Sequence, residues 1–84
     1  MKKAVFDVRQ WDSRETAYRE MAETLEFPDW FGYNLDALYD LLSADDYAIT
    51  LTHTDEAPRA LRIGTLIRVI REAGALEAAF YKDS

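Results

Sequence analysis

Two runs of strand-forming residues, Lys3 to Val8 and Tyr47 to Thr52, stand far apart in the chain, and what separates them reads as helix, not as a hairpin turn. Strands joined in this way need a crossover, so they pair in parallel and the connection is right-handed. The first run mixes Val5, Phe6 and Val8 and ends at the polar pair Arg9-Gln10. Asp12 or Ser13 then caps a helix, with Glu15 three residues after Asp12 as in a capping box, and Ala17, Tyr18, Met21, Ala22 and Leu25 recur along one face. Pro28 stops it. Asn34 caps a second helix, Leu35 to Ser43, whose buried face is Leu35, Leu38, Leu41 and Leu42. After the second strand and a polar turn, Leu61, Ile63, Leu66, Ile67, Ile70 and Ala73 mark a long amphipathic helix from Pro58, broken near Gly64 and ending at Gly74. Leu76 to Tyr81 supplies a third strand. The expectation is an α/β fold, a small three-stranded parallel sheet with three or four helices packed on it, with residues 1–84 as a single domain.

A chain of 84 residues without cysteine has neither a disulfide nor a thiolate metal site, so packing must hold it. No apolar run reaches signal-peptide or membrane-spanning length, which points to a cytoplasmic protein. Sixteen acidic against ten basic residues give a net charge of −6, and their placement says more than their sum. From Glu20 to Pro58 there is no Lys or Arg, while that stretch holds ten acids. A surface of one sign attracts partners of the other, so a basic protein is the natural partner, and nucleic acid and anionic membrane are disfavoured. Charge that merely keeps the protein soluble is the competing explanation.

Asp36, Tyr39 and Asp40 fall at i, i+3 and i+4 on the second helix, opposite its leucines. Asp36 suits the first turn, where the helix dipole favours a carboxylate. Asp40 has no such excuse, and no Lys or Arg at positions 36, 37, 43 or 44 can pair with it. The loop before this helix, Phe27-Pro28-Asp29-Trp30-Phe31-Gly32-Tyr33, is too rich in large rings for a plain linker. Phe27 and Phe31 are expected to close the core, with Trp30 and Tyr39 nearer the surface as interface anchors. Catalysis is disfavoured: two carboxylates on one exposed turn lack the differing environments that separate an acid from a base, and the chain has no Cys nucleophile or Gly-rich phosphate loop. His53, the only histidine, reads as a polar strand end; no metal or cofactor is called for.

The run from Phe27 to Leu42 resembles the signature of the barstar family, intracellular inhibitors of barnase-type ribonucleases. The likeness extends to the opening Lys-Lys-Ala-Val strand and to Val69-Ile70-Arg71-Glu72-Ala73. It implies an inhibitor that pairs one-to-one with a basic ribonuclease of the extracellular microbial type, is a monomer when free, and enters the ribonuclease cleft with an acidic helix and the loop before it. By that resemblance Asp40 takes the place of a substrate phosphate, Asp36 is a second acid at the cleft, Trp30 stacks on the catalytic histidine and Tyr39 lies at the interface. Gly32, Asn34 and Leu35 match loop contacts, and Glu72 an acid at the rim. Trp30 and Tyr39 stand where the family prototype has tyrosine and tryptophan, Asp45 and Asp46 replace an aromatic, and the segment after the second strand is shorter, leaving its helix in doubt. A different cognate ribonuclease is the consequence. A barstar-like module that binds another basic protein or toxin is the alternative.

Overall fold

In the computed structural model, which describes residues 1–81, the first strand runs Lys2–Asp7 (β1) and pairs in parallel with Tyr47–Thr52 (β2), which pairs in parallel with Leu76–Ala79 (β3). The strand order is β1-β2-β3. Both crossovers step the same way across the sheet, so connections of one hand lay their helices on the same face. Those helices are Arg14–Leu25 (α1), Leu35–Ala44 (α2) and Ile63–Glu72 (α3). Between helices and sheet lies one core, in which Phe6, Val8, Ile49 and Leu51 meet Met21, Leu25, Leu38, Leu42, Leu66 and Ile70. The other face stays open, and Val5 on it is exposed.

Local chemistry sets most of the element ends. β1 stops one residue short of Val8 because Asp7 accepts from the Arg9 backbone N–H (3.1 Å) and turns the chain into a single 3-10 turn, Val8–Gln10. Arg9 also grips that carboxylate through Nε (3.0 and 3.2 Å) and Nη2 (2.6 Å), which holds the Asp7 pKa at about 2 against an ordinary 3.8. Trp11, in the connection to α1, is fully buried against Phe6, with ring centroids 5.3 Å apart, and donates from Nε1 to Glu20 (3.2 Å). Ser13 is the cap of α1, accepting from Thr16 N–H at 3.3 Å, while the Asp12 carboxylate accepts from the Thr16 hydroxyl and Glu15 pairs with Arg19. At the far end Glu26 turns left-handed and the Phe27 N–H returns to the Ala22 carbonyl (2.9 Å), a Schellman-type stop ahead of Pro28.

The last third settles the expected three or four helices at three among the described residues and differs from the sequence expectation in two places. No fourth α-helix is present among the described residues; the segment after β2 makes two single 3-10 turns, Thr54–Glu56 and Arg59–Leu61. The long helix breaks at Arg62, which is left-handed (φ 51°), and Gly64 lies inside α3. The reason is tertiary: Arg14 Nε donates to the Leu61 carbonyl (3.1 Å) and Nη2 to that of Arg62 (3.4 Å), which fixes the corner two residues before the glycine. β3 ends at Ala79, short of Tyr81, because the Phe80 carbonyl turns to the Thr54 N–H (3.0 Å) and hydroxyl (3.2 Å). Among the described residues no helix is long and apolar enough to cross a membrane.

Candidate functional site

The loop from Phe27 to Tyr33 is anchored by one ring. Phe31 is 4% exposed and meets Phe27 (5.0 Å), Tyr18 (6.1 Å) and Tyr33 (5.1 Å), and Phe27 in turn meets Tyr47 edge-on (5.8 Å). A tight turn closes from the Phe31 N–H to the Pro28 carbonyl (3.0 Å) and leaves Asp29 and Trp30 at its tip. Trp30 is accordingly 70% exposed, while its neighbour is core. Rings of the same chemistry thus divide their roles by position in the turn, as expected for Phe27, Phe31 and Trp30.

Asn34 joins this loop to α2. Its Oδ1 accepts from the Ala37 N–H (2.8 Å), capping the helix, and its Nδ2 donates to the Gly32 carbonyl (3.1 Å), tying the loop to the same residue. A Cβ at Gly32 would approach that Nδ2 to 3.1 Å, so the close passage of loop over cap favours glycine. Leu38, Leu41 and Leu42 are buried and Leu35 half-buried, so the opposite face of α2 presents Asp36, Tyr39 and Asp40 outward. Tyr39 is 43% exposed and both carboxylates are exposed. Among the described residues neither Asp36 nor Asp40 has a cation within ion-pair distance, and α2 carries no basic residue in its last turn. Past its end Asp45 accepts from the Asp46 N–H (2.8 Å), and burial with the nearby Asp45 charge pushes the Tyr47 phenol up.

Trp30, Gly32, Asn34, Leu35, Asp36, Tyr39 and Asp40 therefore lie along one continuous loop-and-helix ridge. Glu72 comes from elsewhere: it is the exposed last residue of α3, the helix packed beside α2, and it makes no hydrogen bond to the ridge among the described residues. Two residues outside that set also border the ridge. Arg14 and Tyr33 line a depression at the start of α2 together with Asp36. Tyr33 belongs to the aromatic loop, but nothing in the local pattern around Arg14 connects it with α2. Among the described residues no group of three or more His, Asp or Glu side chains is placed to hold a metal ion, and His53 sits at the end of β2 against Thr52 (3.1 Å) and Asp7 (3.5 Å).

Comparison with known proteins finds matches to the sequence that builds this fold. The family model described as Barstar (barnase inhibitor) matches residues 1–80. A protein of Bacillus subtilis (strain 168) named "Putative ribonuclease inhibitor YrdF" is 40% identical over 43 residues, 51% of this chain and 47% of that protein. The match thus spans about half the length of that relative. With the family model extending over the sheet, all three helices and the ridge, the chain belongs to the Barstar (barnase inhibitor) family.

Proposed function

We propose that the protein inhibits a basic ribonuclease of the extracellular microbial type, in a one-to-one complex that forms in the cytoplasm of the cell needing protection. One observation carries the reading: a capped helix holds two carboxylates outward with no cation of their own among the described residues, beside an exposed tryptophan on a turn anchored in the core. A ribonuclease site is a cluster of cations built to hold a phosphate, and a fixed carboxylate satisfies those cations while offering no scissile bond. In this reading Asp40 takes the phosphate position, Asp36 and Glu72 extend the acidic contact, and Trp30 and Tyr39 supply the aromatic anchors. Gly32, Asn34 and Leu35 contribute the backbone surface between them. Family membership and the relative's printed description support inhibition as the activity.

The test is titration of the purified, metal-free protein into a panel of small basic microbial ribonucleases. Inhibition should saturate at one equivalent for at least one enzyme, and its association rate should fall as salt is raised. Full activity of every enzyme under excess protein would overturn the reading in favour of a barstar-like module for another basic protein.

A further inference from the structure

A cation borders the acidic ridge. Arg14 and Asp36 line the same depression, of about 450 Å³, with Tyr18, Tyr33, Asn34 and Leu35. The Arg14 guanidinium is held in place by the carbonyls of Leu61 (3.1 Å) and Arg62 (3.4 Å). Among the described residues no carboxylate lies within 4.0 Å of it, so its charge is not neutralised by an ion pair in the free protein. It is also the first residue of α1, where the helix dipole disfavours a cation. Tyr33, on the wall of the depression, is 47% exposed and left-handed (φ 54°), a conformation strained for a bulky side chain. Two features unfavourable to the free protein thus meet in one place.

We propose that Arg14 and Tyr33 form a second recognition pocket beside the acidic ridge, which takes a carboxylate side chain from the rim of the ribonuclease's cationic cleft. The proposal rests on the inhibitor reading above. A partner basic throughout this region would meet Asp36 favourably and Arg14 as a like charge, so an acid at the rim is the group that makes both contacts compatible. A guanidinium already fixed by two carbonyls presents its remaining donors to a carboxylate without further ordering, and the Tyr33 ring shields one side. The alternation of acid and cation then sets the register of docking and rejects ribonucleases with a basic rim.

The experiment uses the full chain and a ribonuclease that the wild type inhibits. Inhibition constants and melting temperatures are measured for Arg14→Glu, Arg14→Gln and Arg14→Lys. The wild-type constant answers for the inhibitor reading, and the ratio of variant to wild type answers for the pocket. If the partner responds only to diffuse charge, Arg14→Glu, which replaces a positive charge by a negative one, tightens binding. The pocket requires the reverse, a loss of about tenfold or more for Arg14→Glu, a smaller one for Arg14→Gln and near-wild-type affinity for Arg14→Lys. A Glu-to-Lys or Asp-to-Lys change at the ribonuclease rim should restore binding to Arg14→Glu. If loss of the ties to Leu61 and Arg62 keeps Arg14→Glu from folding, Arg14→Gln, which retains a donor, carries the test. An inhibition constant that is unchanged or tighter in folded Arg14→Glu or Arg14→Gln overturns the pocket.

Discussion

Asp40→Asn separates what α2 does for the fold from what it does for a partner, because it removes a charge while preserving shape. In the free protein Asp40 is exposed, four residues after Asp36, in the C-terminal half of a helix without a basic residue in its last turn. A like-charge pair at this spacing costs a few tenths of a kcal/mol, and the dipole adds a contribution of similar size, diminished by one turn's distance from the helix end. The sum is about 0.5 kcal/mol. In a domain of this size that corresponds to a rise in melting temperature of about 2–4 °C. In the complex the sign reverses. Cations that lose a buried anionic partner are left uncompensated at a cost of about 3 kcal/mol or more, at least a hundredfold in the inhibition constant. The assay is calorimetric melting together with inhibition at fixed salt, for Asp40→Asn beside neutralising variants at Asp29, Asp36, Asp45, Asp46 and Glu72. Asp40→Asn should show the largest loss of inhibition and no loss of stability. Equal, small losses across the set would mean that diffuse charge alone attracts the partner, and a falling melting temperature for Asp40→Asn would mean that its carboxylate has a structural role.

Three further outcomes are expected. Trp30→Ala should change stability by less than about 0.5 kcal/mol, since the indole is exposed, yet speed dissociation, whereas Phe31→Ala should lose about 3–5 kcal/mol of stability; stopped-flow and thermal melts distinguish them, and a sharp fall in melting temperature for Trp30→Ala would place that ring in the core. Asn34→Ala removes the cap bond to Ala37 and the tie to Gly32, and should lower stability by about 1 kcal/mol, or roughly 4–8 °C; unchanged melting would show that loop and helix hold together without it. Asp7, gripped by Arg9, has a folded pKa of about 2, below its ordinary 3.8, so its contribution is complete above about pH 4 and disappears as pH falls towards 2; urea midpoints across that window should fall more for wild type than for Asp7→Asn, and parallel profiles would refute the assignment.

Most of the fold was legible because its signals are local. Apolar residues at helical spacing located α1, α2 and α3, Asn34 and Ser13 are the caps that their chemistry suits, and Gly74 (φ 80°) stands just after α3 where an L-residue would be strained. What the pattern could not hold was long-range. Trp11 lies between a strand and a helix and belongs to neither period, so nothing nearby marks it as buried. β2 alternates in sequence, but as the central strand it is flanked by a neighbour on each side, so Ala48 and Thr50 on the open face are also buried, though less fully than Ile49 and Leu51 on the core face. The corner at Arg62 is set by Arg14 from the other end of the chain, and no reading of residues 58–64 alone could prefer it to Gly64.

The ridge follows the same division, and its three least comfortable residues show why. Asp40 breaks helix rules that depend on its own helix alone, so its sequence neighbours were enough to single it out. Tyr33 breaks a backbone rule that appears only once φ is known, and Arg14 is anomalous only once Asp36 and the Leu61 corner are placed beside it. Well-packed domains agree across levels of structure and depart from that agreement chiefly where something besides stability is selected. Phe31, Asn34 and the leucines of α2 satisfy every local rule and build the support; Asp40, Tyr33 and Arg14 each violate one, and all three lie on or beside the ridge that the support holds up. Left-handed backbone alone does not mark the site, since Glu26, His53 and Arg62 share it elsewhere; the ridge is where it meets the charge anomalies of Asp40 and Arg14. On the inhibitor reading the partner surface runs along the ridge of α2, and the proposed pocket extends it across the depression to α1.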